Sequence, residues 1–238
     1  MPSMTPRQPR PCSPAVAVQR ARHLADLEFS RPAAQRHPYI LGGGGRFDPR
    51  HPDDEPWTLP ESARAAVIQR YGRVRTGLDC RGFVTWCYQL AARRDGFNVG
   101  GSVSGWINTD SMLEDALSSS PDLFRLARHP APGVIVVYPS IRRRELPGYT
   151  SDLGKRVRIG HVGIVERYQG AEWDAAQLEC WALLDVLQCG STGTPAVRAI
   201  TGSLWGRSAT YHAVHPITRQ SSTITRPEWG PRLLEIIP

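Results

Sequence analysis

Three short runs rich in β-branched and aromatic residues constrain this chain more than anything else in it: 134–138 (Val-Ile-Val-Val-Tyr), 161–168 (His-Val-Gly-Ile-Val-Glu-Arg-Tyr) and 181–189 (Trp-Ala-Leu-Leu-Asp-Val-Leu-Gln-Cys). Glycine or proline bounds the first two, and all three read as strands. Their consecutive order predicts an antiparallel meander, with 169–175 as one connection and 134–138 as the first strand. Side-chain alternation then places residues 184, 186 and 188 on one face of the third strand and 185, 187 and 189 on the other. Further short strands are expected at 197–200 and, closing the sheet, at 209–215.

The other half of the pattern is helical. Apolar residues fall at 83, 84, 86, 87 and 90, the spacing of one helix face, and an approximately helical period over 15–29 predicts an amphipathic helix docking on the domain. Helices are also expected at 62–71, 111–117 and 122–127, and loops at 48–60, 96–110 and 139–159. Residues 1–14, rich in proline, arginine and serine, read as disordered. At 238 residues and 40% hydrophobic, the chain suits one α+β domain with extensions. The expected division is an arm and docking helix at 1–37, a domain at 38–217 and a tail at 218–238, whose apolar end docks elsewhere or on a partner.

No run approaches the roughly 18 apolar residues of a membrane helix, and the N-terminal residues carry no apolar signal core, so neither a membrane span nor Sec export is expected. The cysteines, at 12, 80, 87, 180 and 189, are odd in number and include no Cys-x-x-Cys pair, so no metal site or complete disulfide framework is indicated and no cofactor is expected. Cys87 reads as core, Cys180 and Cys189 as buried or partly buried thiols. The net charge of +7 raises nucleic acid as a partner. Its distribution argues against that, because it concentrates in the first 37 residues and in the 139–159 loop, without interleaved aromatics. That loop is long enough to be a substrate flap or a mobile insertion.

Cys80 carries the chemical interest. Asp79 before it is a good N-cap, which puts the cysteine in the first turn of a helix, where free N–H groups and the helix dipole favour a thiolate. The alternative is a small hydrophobe packed at a helix start. His161, at the head of the second strand, supplies a base for such a nucleophile.

Four pieces occur in an order that resembles the NlpC-type superfamily of cell-wall cysteine peptidases: Tyr39-Ile40-Leu41-Gly42-Gly43, Asp79-Cys80-Arg81-Gly82-Phe83-Val84, Ala131-Pro132-Gly133 and His161-Val162-Gly163-Ile164. Arg81 replaces the usual serine after the nucleophile, and Val134 the usual aspartate after Pro-Gly. The resemblance, which spans about Tyr39 to Pro216, implies a papain-like α+β fold with a helical half carrying Cys80 packed on an antiparallel sheet carrying His161. It implies that Tyr39 lines the substrate cleft, the alternative being a half-buried aromatic, with Asp79 and Arg81 beside the nucleophile as further substrate contacts. It also implies a third polar residue that orients the imidazole. Gln188 matches that position, its carbonyl able to fix the ring's tautomer, and Asp185 competes from the opposite strand face.

The substrate so implied is the stem peptide of peptidoglycan or its muropeptides, often cut after a D-γ-glutamyl residue. Other amidase or acyltransferase substrates, or a place among virion tail proteins with a vestigial site, are the alternatives.

Overall fold

A computed structural model of the chain describes residues 10–39, 56, 77–91, 97, 107–142, 145–146, 156–190, 197–201, 205, 207–214, 218 and 220–238. The glycine run at 42–45, the helix expected at 62–71, nearly all of the loop expected at 48–60, and most of the 96–110 and 139–159 loops lie outside these residues.

Helix α1 is Pro14–Ser30, with the Ser13 hydroxyl accepting from the Val16 N–H and proline at its start, where a missing N–H costs nothing. It docks mainly through small residues, Ala17, Ala21 and Ala25 with Leu24, while Val16 and Phe29 are left exposed. Helix α2 is Cys80–Cys87. It is buried on nearly all sides, and its one interior hydroxyl, Thr85 Oγ1, bonds back to the carbonyls of Arg81 and Gly82 at 3.1 and 3.2 Å. The helix ends where Gln89 turns left-handed, at φ 58°. Helix α3, Thr109–Ala116, begins in a capping box between Asn108 and Ser111.

The strands are β1 (Phe124–Leu126), β2 (Ile135–Tyr138), β3 (Ile141–Arg142), β4 (Arg156–Arg158), β5 (His161–Tyr168), β6 (Leu184–Cys189), β7 (Val197–Thr201), β8 (Thr210–Val214), β9 (Ser221–Thr225) and β10 (Arg232–Ile236), with a short helix α4, Leu178–Ala182, before β6. Six form one sheet in the order β1-β10-β2-β5-β6-β7, with every pairing antiparallel. The α+β architecture expected from the sequence is therefore present. One face of the sheet (Ile135, Val137, Val162, Ile164, Leu187, Cys189) packs on α1 and α2; the other (Val136, Val165, Leu184, Val186) is covered by Trp181 and Trp205.

Several boundaries differ from expectation. Residues 122–127 form no helix: the buried Asp115 carboxylate accepts the N–H groups of Asp122, Leu123 and Phe124 at 2.9, 2.9 and 2.7 Å, which holds the chain extended into β1. So β2 is the second strand of the sheet in sequence, not the first. Residues 181–183 lie before β6 rather than in it, because Trp181 tucks under the sheet in α4, its Nε1 donating to Ala175 O at 3.0 Å and its ring meeting Trp173 at 4.8 Å. Among the described residues strand β8 does not close the six-stranded sheet; it pairs with β9, supported by a Thr210–Thr225 hydroxyl contact at 3.0 Å.

The expected C-terminal tail is the largest correction. It supplies β10, inserted between β1 and β2, with Leu233 buried on one face and Leu234 on the other, which is why its apolar residues run consecutively rather than alternating. Among the described residues no helix is long and apolar enough to cross a membrane.

Candidate active site

Cys80 stands first in α2. Asp79 Oδ1 accepts the Gly82 N–H at 2.6 Å, and its other oxygen lies 3.4 Å from the Arg81 guanidinium. The Cys80 sulfur accepts the backbone N–H groups of Val162 and Arg81, and the Tyr39 hydroxyl lies 4.0 Å from it. Tyr39 reaches this position through a parallel bridge to Leu78 and a lock two residues earlier, where fully buried Glu28 accepts the His37 N–H at 2.7 Å and meets its ring at 2.9 Å.

The expectation of a ready thiolate does not hold for this geometry. Cys80 is 5% exposed, and burial, reinforced by the Asp79 carboxylate, pushes its thiol up to about 12 against the opposing Val162, Tyr39 and Arg81 donors. A helix end is worth at most about 2 kcal/mol to an anion. Fully burying one costs about 4 kcal/mol or more, so burial wins.

The imidazole is built by strand pairing. Gly163 of β5 lies opposite Gln188 of β6, and the glutamine side chain runs along the bare backbone there to place Oε1 2.6 Å from His161 Nε2. Because an amide oxygen only accepts, Nε2 carries the proton and Nδ1 is left as the basic atom. Gln188 is 2% exposed, so little water competes for this bond. Burial holds the imidazolium below its ordinary value, with the Gln188 bond working the other way.

Asp185 is removed from contention by face and by distance along the strand. It pairs with Arg167 at 2.6 and 2.9 Å and with Gln169 at 2.8 Å, on the opposite face near the far end of β5.

Two further residues complete the His161 pocket. The fully buried indole of Trp205 stacks on the imidazole at 5.3 Å and 18°, and Tyr138, the cross-strand partner of His161, meets it at 5.9 Å and Trp205 at 5.5 Å. A side chain at residue 163 would collide with Val186 at 2.6 Å and crowd Trp205 at 3.3 Å, so Gly163 makes room for this stack. Sequence reasoning missed both aromatics. The antiparallel pairing of the first two strands contained the signal for Tyr138; Trp205 lies outside every strand and gave none.

The backbone entering β5 is pinned: Asp110 accepts the Ser140 N–H at 2.8 Å and Ser140 Oγ accepts the Gly160 N–H at 3.0 Å.

No family model matches the chain, and no curated protein or solved structure matches it.

The structure brings Tyr39, Asp79 and Arg81 to Cys80, and Gln188 to His161. Between these two groups the contact is the Val162 N–H on the Cys80 sulfur; no hydrogen bond joins that sulfur to the imidazole, which projects from the adjacent position of β5. The arrangement holds a buried thiol and a neutral, tautomer-fixed imidazole at one end of one strand. These are two neutral groups rather than a standing ion pair. Among the described residues, no group of three or more His, Cys, Asp or Glu side chains is placed to hold a metal ion, and all five cysteines are free.

The described part of the 139–159 loop is tied down. Arg142 pairs with Glu114 at 3.1 Å, and Arg158 donates to the carbonyls of Trp229 at 3.1 Å, Pro139 at 3.4 Å and Ser208.

Proposed function

We propose that the chain is a papain-like cysteine peptidase or amidase of the NlpC type, hydrolysing peptide bonds of peptidoglycan stem peptides, with D-γ-glutamyl bonds as the target. The observation that carries this reading is the 2.6 Å His161–Gln188 bond on the strand whose next residue reaches the Cys80 sulfur. As substrate enters, Nδ1 of His161 takes the thiol proton while the sulfur attacks the carbonyl carbon. The same proton passes to the departing amine as the C–N bond breaks, and water then hydrolyses the thioester. Gln188 keeps Nε2 protonated throughout. The hydrogen bond between thiol and imidazole forms in the complex, since such contacts are commonly long without substrate. Tyr39, Asp79 and Arg81 line the approach.

Mass spectrometry of purified muropeptides after incubation tests the reading. Fragments ending in D-glutamate with a free γ-carboxyl are expected; intact muropeptides beside a Cys80 that still accepts acyl groups would move the substrate to another amide or to an acyl acceptor.

A second reading is favoured by the burial of Cys80 and its thiol at about 12: a component of a virion tail whose site is unreactive. Failure of Cys80 both to be alkylated and to be acylated between pH 7 and pH 9 would select it.

A further inference from the structure

We propose that Tyr138 is a catalytic residue of this site, its phenol donating a hydrogen bond to the carbonyl oxygen of the acyl group as that oxygen gains charge. The inference rests on the Cys80–His161 reading and adds to it the second donor that acyl transfer needs beside the Cys80 backbone N–H, which the start of a helix leaves without an intrahelical partner.

Four observations converge on Tyr138. It is the last residue of β2 and pairs with His161, the first of β5, so the two side chains leave the same end of the sheet on the same face. Its ring is held on more than one side, by the Trp205 indole at 5.5 Å and by the Arg158 guanidinium 4.7 Å over its ring, and Arg158 is itself anchored on three backbone carbonyls. The hydroxyl of this fixed ring makes no hydrogen bond to any described residue, whereas the phenol of Tyr88 bonds Gly133 O and that of Tyr168 bonds Glu172 O. Tyr138 is half-buried, so no protein acceptor has to be displaced before its phenol proton can be offered to a ligand oxygen. Finally, burial pushes the phenol up to about 12, with a further upward push from the charge of an ionised Cys80, so the group stays a protonated donor and lies within electrostatic reach of the sulfur.

In the step itself the S–C bond forms, the carbonyl π electrons move onto oxygen, and the thiol proton goes to His161. The phenol keeps its own proton and only shares it. When the tetrahedral species collapses, the C–N bond breaks and the amine leaves with the proton from His161.

The test compares two reactions of Cys80 in the full chain, with wild type and Tyr138→Phe. Acylation by p-nitrophenyl acetate builds an oxyanion; alkylation by iodoacetamide does not. The expected result is acylation slowed by about 10²-fold, the usual cost of one oxyanion donor, with the alkylation rate and the melting temperature unchanged. Equal acylation rates in the two proteins would overturn the assignment, as would acylation and alkylation falling in parallel, which would place the effect on the thiol. A wild-type protein that is acylated but leaves muropeptides intact would sink the wall substrate and leave the Tyr138 comparison standing. A wild-type protein that is not acylated at all would overturn both.

Discussion

The Cys80 pocket and the His161 pocket lie at the same end of the sheet and are built by different means. The first is assembled around a helix start: Asp79 caps α2, α2 is buried almost all round, and a neighbouring bridge at Leu78 brings Tyr39 alongside. The second is assembled by register: β5 and β6 align Gly163 with Gln188, and β2 aligns Tyr138 with His161. Cys80 is buried and His161 half-buried, and burial acts on the two titrating groups in opposite directions, raising the thiol and lowering the imidazolium. Both shifts favour the neutral forms. A thiol held in its neutral form is protected from oxidants and alkylating agents that act on thiolates.

The sharpest way to break the comparison is to remove one half of it. Cys80→Ala should abolish muropeptide hydrolysis and shift the melting temperature by only a few degrees, because the lost sulfur leaves a small cavity costing about 1 kcal/mol. Cys87→Ala, at a buried position on the same helix, should produce a similar shift with hydrolysis retained. Near wild-type turnover in Cys80→Ala would end the nucleophile assignment.

The His161 pocket is tested next through its orienting bond. Gln188→Ala should lower kcat by roughly 10- to 1,000-fold with little change in KM, the range expected when a preorganised contact is lost. Gln188→Asn or Gln188→His should recover part of it. Asp185→Asn should be nearly silent, since that carboxylate serves Arg167 and Gln169 on the other face. A dead Asp185→Asn beside an active Gln188→Ala would reverse the two faces of β6.

That pair of residues shows what the sequence made legible. Period-two alternation along 184–189 separated Gln188 from Asp185, and the structure has them on opposite faces as alternation requires. The cap at Asp79, the span of β5 and helix α1 were readable for similar reasons, since each is decided by neighbours a few residues away. What was not readable was decided at long range. The β10 residues look like a sticky tail until one sees that both β1 and β2 need a partner there. Residues 122–127 look helical until Asp115 takes their N–H groups. Trp205 belongs to no periodic segment, so nothing local announces that it will lie on His161. The upward push of burial on the Cys80 thiol was also hidden, because helix position is local and burial is not.

A smaller effect sharpens the contrast between a stored and a standing thiolate. With the Cys80 thiol near 12, its alkylation by iodoacetamide should climb about tenfold per pH unit from pH 7 to pH 9. His161→Ala should alter that slope little, because a neutral imidazole contributes no charge to it. A rate already fast and flat at pH 7, lost in His161→Ala, would show a thiolate–imidazolium pair and overturn the neutral description.

The smallest effect is on stability. His161 is held below its ordinary value by burial, so the folded protein prefers the neutral ring, and the stability this contributes is present above about pH 6.5, the ordinary histidine value, and lost as the pH falls below it. Cys80 is raised, so its contribution is present below about pH 8.5, the ordinary thiol value, and lost as the pH climbs toward 12. Together they predict a plateau of stability between those limits, with the acid shoulder owned by one pocket and part of the alkaline shoulder by the other. The alkaline side is shared with Cys12, Cys87 and Cys189, whose thiols burial also raises, which makes the acid side the cleaner measurement. Urea midpoints at pH 7 and pH 5 should therefore differ more for the wild type than for His161→Gln, which fills a similar space and cannot titrate. Equal losses in the two proteins would mean that burial does not hold the ring neutral, and the description of His161 as kept neutral between Trp205 and Gln188 would have to be abandoned.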